Sequence, residues 1–228
     1  MDEKELSSTT YQSAVIDKRW LSNRVFELAL IKPAGFDFLP GQKVNVYIAG
    51  MAREYTIVSA PGEEYLALCI RHLVEGKVSS RLAALQLGDV VAFSTAYGYF
   101  LHRPGSSIFV ATGTGVAPCV AFARSGIRDF ILLHGVAATS ELYYRHLFLK
   151  TARHYVGCLS PVDEDANVEG NIFAGRVTDY LRQELAPGQY TFYLCGNGEM
   201  VADAMKIIDS RFERSRVFME SFFNDNDR

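Results

Sequence analysis

At 228 residues the chain has the length of one large domain or two small ones. Hydrophobic residues make up 49% and charged residues 21%, a globular balance that argues against a disordered or fibrous chain. The net charge of −3, with no block of like charge, argues against bulk attraction to nucleic acid or to an anionic membrane surface.

The opening MDEKELSSTT is polar and acidic and lacks the cationic and apolar regions of a secretory signal. No apolar run reaches the roughly 18 residues of a membrane-spanning helix. These features give the expectation of a cytoplasmic protein. In the first hundred residues Phe26, Leu28 and Leu30 alternate with polar or small neighbours, as do Val44, Val46 and Ile48, and Leu66, Leu68 and Ile70. This is the period of half-buried antiparallel strands. The turn signals KPAG, LPGQ and SAPGEE separate them. Short punctuated strands of this kind predict a small barrel or sandwich. One helix is predicted from Val78 to Leu87, ended by Gly88.

After HRPGSS, residues 102–107, the pattern changes. IFVA, FILL and YTFYLC are continuous apolar runs, which suit strands of a parallel sheet buried on both faces. Helices are predicted between them at Pro118–Ser125, Ser140–Ala152, Val177–Leu185 and Glu199–Phe212, with Thr139 or Ser140 as a cap for the second. Alternating strands and helices give an α/β half. The chain is therefore expected to be β followed by α/β, with domains 1–103 and 104–228.

Four short stretches carry candidate chemistry. In REYT, Arg53 and Tyr55 share one face of a strand and Thr56 follows. In GKVSS, Gly76 opens a turn and Ser79 and Ser80 stand where hydroxyls cap a helix. In ATGTGVAP a buried strand runs into Thr112, Gly113, Thr114 and Gly115, with Pro118 starting a helix. There, backbone N–H groups and the helix dipole suit an anion. This loop lacks the third glycine of a standard dinucleotide fingerprint, and taken alone it reads equally as a tight strand–helix turn. In YTFYLCGNGEM the geometry recurs, placing Cys195 and Gly196 at the carboxyl end of a strand, the edge of an open α/β sheet where ligands bind. Cys195 alone reads as a small buried residue rather than a nucleophile. Cys69, Cys119, Cys158 and Cys195 stand far apart, and no histidine pair has ligand spacing, so no metal site is expected.

Taken in order, these stretches resemble the ferredoxin–NADP reductase superfamily. REYT is similar to its flavin motif, GKVS to its flavin-pyrophosphate motif and GTGVAP to its nicotinamide-nucleotide loop. CGNGEM is similar to its CGxxxM segment, and ESFF, Glu220 to Phe223, to its terminal acidic–aromatic segment. The resemblance covers roughly residues 10 to 223. It implies an N-terminal antiparallel six-stranded β-barrel that binds FAD, followed by a parallel-sheet α/β domain that binds NADH or NADPH.

It also implies roles. Arg53 would pair with the flavin diphosphate, Tyr55 would lie against the ring or ribityl chain, and Thr56 would sit near flavin N5. Gly76, Val78 and Ser79 would hold FAD phosphate. The loop from Thr112 to Pro118 would take the nicotinamide nucleotide, with Cys195, Gly196 and Glu220 at the nicotinamide. Phe222, or else Phe223, would cover the flavin. The implied activity is hydride transfer from NAD(P)H to FAD, then single-electron delivery to a ferredoxin, a flavodoxin or an oxygenase component. A free-flavin reductase and a non-catalytic flavin relay subunit use the same parts. Pro161 stands where members that prefer NADP carry an arginine, Asp163, Glu164 and Asp165 follow, and Gly170 and Ile172 replace an arginine and a tyrosine. NADH is thus the expected coenzyme, with Arg176 or Arg145 as the candidate phosphate ligands.

Overall fold

The computed structural model describes residues 10–161 and 171–222. Asp163, Glu164, Asp165, Gly170 and Phe223 lie outside the described residues, as does the side chain of Phe222. The first half is a six-stranded antiparallel sheet built from β1 (Thr10–Trp20), β2 (Val25–Ile31), β3 (Lys43–Ile48), β4 (Met51–Thr56), β5 (Tyr65–Arg71) and β6 (Val90–Ser94), in the order β4-β3-β6-β1-β2-β5. A bulge between Val15 and Asp17 bends β1, so its first half pairs with β6 and its second half with β2. The two outer strands then meet, because Ile57 bridges to Leu68 and Val58 N–H donates to the Ala67 carbonyl at 2.8 Å. The sheet has curled into the expected barrel.

Phe26, Leu28, Leu30, Leu66, Leu68 and Ile70 are all fully buried in the barrel interior. The expectation of half-buried strands fails for β2 and β5, however. Val25, Ala67 and Cys69 are buried as well, in a second cluster shared with Phe122 and Tyr143 of the other half. The second domain covers the outer face of these two strands, which alternation along one strand does not reveal. The helix expected at Val78–Leu87 is shorter, α1 (Ser79–Ala84), because Leu85 turns to extended backbone.

The second half is a six-stranded parallel sheet, with β7 (Ser107–Thr112), β8 (Ile131–Val136), β9 (His154–Leu159), β10 (Asn171–Ala174), β11 (Thr191–Asn197) and β12 (Arg216–Phe222) in the order β10-β9-β8-β7-β11-β12. Helices α2 (Ala117–Arg124) and α3 (Arg145–Thr151) pack on one face, and α4 (Val177–Gln183) and α5 (Gly198–Arg211) on the other. The helix expected at Ser140–Ala152 is broken. Thr139–Glu141 forms a 3-10 turn with Ala138 at its start, and Tyr144 takes the left-handed conformation with φ 57° before α3 begins. Neither Thr139 nor Ser140 caps α3.

The chain leaves β7 in one direction to build β8, β9 and β10, and returns to the other side of β7 with β11. The order therefore reverses between β7 and β11. Open α/β sheets bind ligands outside the carboxyl ends of their strands at such a reversal.

Candidate functional site

A cleft of about 1210 Å³ runs from that reversal to the barrel. Single-ligand pockets usually enclose about 300–1,000 Å³, so there is room for two nucleotides end to end. The barrel wall includes Arg53, Tyr55, Thr56, Gly76, Val78 and Ser79, and the α/β wall includes Thr112, Gly113, Thr114, Arg176 and Gly196. Eleven positions singled out from the sequence, separated widely along the chain, thus converge on one cavity. Gly115, Pro118, Cys195 and Glu220 do not line it.

On β4, Arg53 stands opposite Val46 and Tyr55 opposite Val44, so both share the face of the core valines, as expected. Tyr55 is half-buried against the core, while Arg53 is exposed at the rim with one guanidinium N–H donated to the Ala52 carbonyl at 2.9 Å. Thr56 is buried on the other face, opposite Lys43. The Gly76 turn is tight, since its N–H reaches the Leu73 carbonyl at 2.8 Å and a Cβ on Gly76 would fall 2.5 Å from Ser79 Oγ. The serines do not cap α1. Ser79 Oγ accepts from Leu73 N–H at 3.1 Å, and Ser80 Oγ donates to the Leu73 and Val74 carbonyls at 2.6 and 2.9 Å. The first serine thereby fixes the turn and lines the cleft.

In the α/β domain the two loops of the reversal interlock. A Cβ on Gly115 would overlap the backbone of Cys195, and Thr112 Oγ1 accepts from Asn197 N–H at 3.1 Å. Cys195 is buried in the cluster between the domains, and burial pushes its thiol well above the usual range. It is therefore a neutral, packed side chain. Pro118 sits in the first turn of α2, where its missing N–H costs nothing. Arg176 starts α4, with its backbone N–H donated to the Asp179 carboxylate at 3.0 Å, and its exposed side chain borders the cleft. Arg145 does not line the cleft. Its Nε and Nη2 are buried without a hydrogen-bond partner among the described residues.

Three features of the site were not singled out from the sequence. Glu199 and Asp203 of α5 line the cleft beside the α/β loops. Arg124 of α2 crosses to Glu27 of β2, and Tyr144 donates to the same carboxylate at 2.7 Å. Lys43 of β3 donates to Glu54 Oε2 at 2.9 Å and to Glu220 Oε1 at 2.6 Å, while the Tyr97 hydroxyl donates to Glu54 Oε1 at 2.7 Å. Burial alone would pull the Lys43 ammonium down, but its two carboxylate partners outweigh this and raise it above the usual lysine range. Burial likewise opposes the charge on Glu54, and the hydrogen bonds from Lys43 and Tyr97 overcome it, lowering that carboxyl. Lys43 and Glu54 are thus both ionised at neutral pH. The last two join residues far apart in the chain, so no local pattern could have announced them, whereas Glu199 lies inside the CGNGEM stretch and Asp203 one helical turn beyond it. Among the described residues, no group of three or more His, Cys, Asp or Glu side chains is placed to hold a metal ion. No helix among them is long and apolar enough to cross a membrane.

Comparison with known proteins adds the family. Residues 14–102 match the oxidoreductase FAD-binding domain, and residues 109–206 match the oxidoreductase NAD-binding domain. The reductase component of propane 2-monooxygenase from Rhodococcus jostii is 28% identical over 86% of this chain and 58% of its own length. The corresponding component from Mycolicibacterium smegmatis is 28% identical and is covered over 61% of its length. The chain thus spans about three fifths of these curated relatives. Ferredoxin–NADP reductase A of Sorangium cellulosum is 25% identical over 88% of this chain and 83% of its own length. In fold, the chain superposes on a ferredoxin NADP+ reductase from Neisseria gonorrhoeae, solved with FAD and NADP, with a TM-score of 0.79 over 95% of this chain and all of that one, at 21% identity. With the two matched domains in this order and most of its length accounted for, the chain belongs to the ferredoxin–NADP reductase superfamily.

Proposed function

We propose that the chain is an FAD-dependent NAD(P)H oxidoreductase. It would take a hydride from NAD(P)H and deliver single electrons to a separate protein acceptor such as a ferredoxin, a flavodoxin or an oxygenase component, in the cytoplasm. The observation that carries this reading is the single cleft that unites the Arg53–Thr56 strand and the Gly76–Ser79 turn with the Thr112–Gly115 loop. The relatives named as reductase components of oxygenase systems support a separate acceptor.

The cleft residues fit FAD on the barrel side. Arg53 lies at the rim, where a planar guanidinium can hold the diphosphate. The Gly76 turn has no room for a side chain, so phosphate can approach its backbone beside Val78. Ser79 already accepts a hydrogen bond from Leu73, which leaves its hydroxyl proton to donate to phosphate. Tyr55 offers a ring face at the core edge, and Thr56 a hydroxyl at the flavin N5 edge. Bound FAD supplies the conversion of one hydride into two single-electron transfers.

On the α/β side, Thr112, Gly113 and Thr114 hold the nicotinamide nucleotide, with Gly115 packing that loop against Cys195 and Pro118 setting the direction of α2. Gly196 forms the floor at the strand reversal, and Cys195 packs beneath it. The protonated thiol supports that floor from the core and forms no covalent bond. Glu220 supplies the fixed carboxylate behind it. Arg176 borders the adenosine end. The functional units are residues 1–103 for FAD and 104–228 for the coenzyme.

The reading is tested by purifying the chain and adding NADH or NADPH with ferricyanide. Yellow protein and steady coenzyme oxidation are expected. Colourless protein that oxidises coenzyme only with added free flavin would instead make flavin a substrate, and flavin-loaded protein that oxidises neither coenzyme would make the chain a relay subunit.

A further inference from the structure

Lys43 joins the two domains behind the cleft wall to which Thr56 contributes. It lies opposite Thr56 in the β3–β4 pair, and Glu220 lies opposite Cys195 in the β11–β12 pair. Residues directly opposite in paired strands project to the same face. The 2.6 Å bond from Lys43 Nζ to Glu220 Oε1 therefore joins β3, the barrel strand paired with the one that carries Thr56, to the α/β strand beside Cys195, across 177 residues of sequence.

The surroundings hold this lysine in one place. Its backbone exchanges two 2.9 Å hydrogen bonds with Tyr97, its ammonium lies 5.6 Å from the Tyr97 ring centre, and Glu54 takes a second N–H. The Lys43 and Glu220 side chains are only 18% and 15% exposed. Solvent screening of the pair is correspondingly weak, unlike that of a surface ion pair. The second oxygen of the acid, Glu220 Oε2, is buried and has no hydrogen-bond partner among the described residues. One oxygen is thus anchored and the other is kept as an unmet acceptor, a costly arrangement that points to use.

We propose that Lys43 is a positioning residue of the reaction, fixing the Glu220 carboxylate and the end of β12 against β3, the neighbour of the barrel strand that carries Thr56. This rests on the function proposed above. Lys43 acts through Glu220 and does not itself meet the coenzyme.

The test uses Lys43→Met, Lys43→Gln and Lys43→Arg with Glu220→Gln and the Lys43→Met/Glu220→Gln double variant, each loaded with FAD and mixed with coenzyme in stopped flow. The uncharged Lys43 variants are expected to bind FAD as the wild type does. They should lose about tenfold or more in the limiting rate of flavin bleaching, with the coenzyme KM changed by less than about threefold. Lys43→Arg should recover most of the rate. The double variant should be no slower than Glu220→Gln alone, because the lysine acts only through that acid.

A second readout needs no cofactor. In the FAD-free chain, amide exchange across residues 216–222 should speed up in Lys43→Gln and stay slow in Lys43→Arg. Wild-type bleaching rates in both uncharged variants, rate losses that multiply in the double variant, or unchanged exchange in Lys43→Gln would each overturn the proposal. If the uncharged variants do not fold, a Lys43→Arg protein as slow as Glu220→Gln would overturn it. Wild-type protein that neither coenzyme reduces would refute the proposed function instead.

Discussion

Arg124 and Glu27 lock the two domains together, with the guanidinium Nη2 3.0 Å from one carboxylate oxygen and 3.3 Å from the other. The same arginine donates to the Val58 carbonyl at 3.1 Å and lies over the Tyr144 ring at 5.5 Å. Both side chains are mostly buried, at 16% and 10% exposure. Removing one partner of a buried pair costs at most roughly 3–5 kcal/mol, here moderated because Glu27 keeps the Tyr144 hydroxyl and Arg19 at 3.8 Å. Arg124→Met should therefore lower unfolding stability by up to that amount, and Arg124→Met/Glu27→Gln by less than Arg124→Met alone. Urea titration of the three proteins checks this. Equal losses in the single and double variants would show that Arg124 stabilises by packing alone.

Arg53 tests the flavin side of the cleft. Its guanidinium is exposed at the rim and bonded only locally among the contacts that are described, to the Ala52 carbonyl, so its loss should not disturb the barrel. A charge-assisted bond to a diphosphate is worth roughly 1.5–3 kcal/mol. Arg53→Ala should weaken FAD binding by about 10- to 150-fold with little change in the stability of the flavin-free protein. Fluorescence titration of that protein with FAD measures it. Full flavin retention would remove Arg53 from the diphosphate.

What the sequence disclosed and what it hid divide by distance along the chain. REYT, GKVS, GTGVAP and CGNGEM are each contiguous. Their residue types have local causes, such as the Gly76 turn that excludes a Cβ, and all four stretches contribute to the cleft wall. Lys43 is part of no motif. Its meaning depends on Glu220, 177 residues away, just as that of Arg124 depends on Glu27, 97 residues away. Alternation in β2 correctly marked Phe26, Leu28 and Leu30 as core, yet Val25 and Ala29 are buried too, because covering by another domain leaves no periodic signature. The stretch from Ser140 to Ala152 reads as one helix by composition, but Tyr144 leaves the helical region and splits it.

His134 gives the fold a defined response to acid. It is fully buried on β8, with Nδ1 3.2 Å from the Tyr155 hydroxyl and Nε2 without a hydrogen-bond partner among the described residues. Burial pushes its pKa from 6.5 down to about 4. The unfolded chain therefore takes up a proton below pH 6.5 that the folded chain refuses until about pH 4. Stability must fall as pH is lowered through that window, by up to roughly 3 kcal/mol from this one group. Carboxylates titrate nearby, so the comparison is between slopes. His134→Gln should show a shallower loss of urea-unfolding stability between pH 7 and pH 4.5 than the wild type. Identical slopes would mean that His134 takes up its proton as readily in the folded chain as in the unfolded one.

The coenzyme should be NADH. The acidic run at Asp163 to Asp165 lies outside the described residues, so the case rests on the cleft itself. Among the described residues of the α/β wall, Arg176 is the one cation, whereas Glu141, Glu199 and Asp203 are acids. A 2′-phosphate adds about −2 charge and is best held by arginine forks. A wall with a single exposed arginine and three carboxylates is a poor host for it, even after screening by salt. At one ionic strength, kcat/KM for NADH should exceed that for NADPH. Arg176→Gln should lower the NADPH value more than the NADH value, and Asp203→Asn should raise the NADPH value selectively. A tenfold preference of the wild type for NADPH, about 1.4 kcal/mol in transition-state binding, would show that these acids do not face the ribose end of the coenzyme.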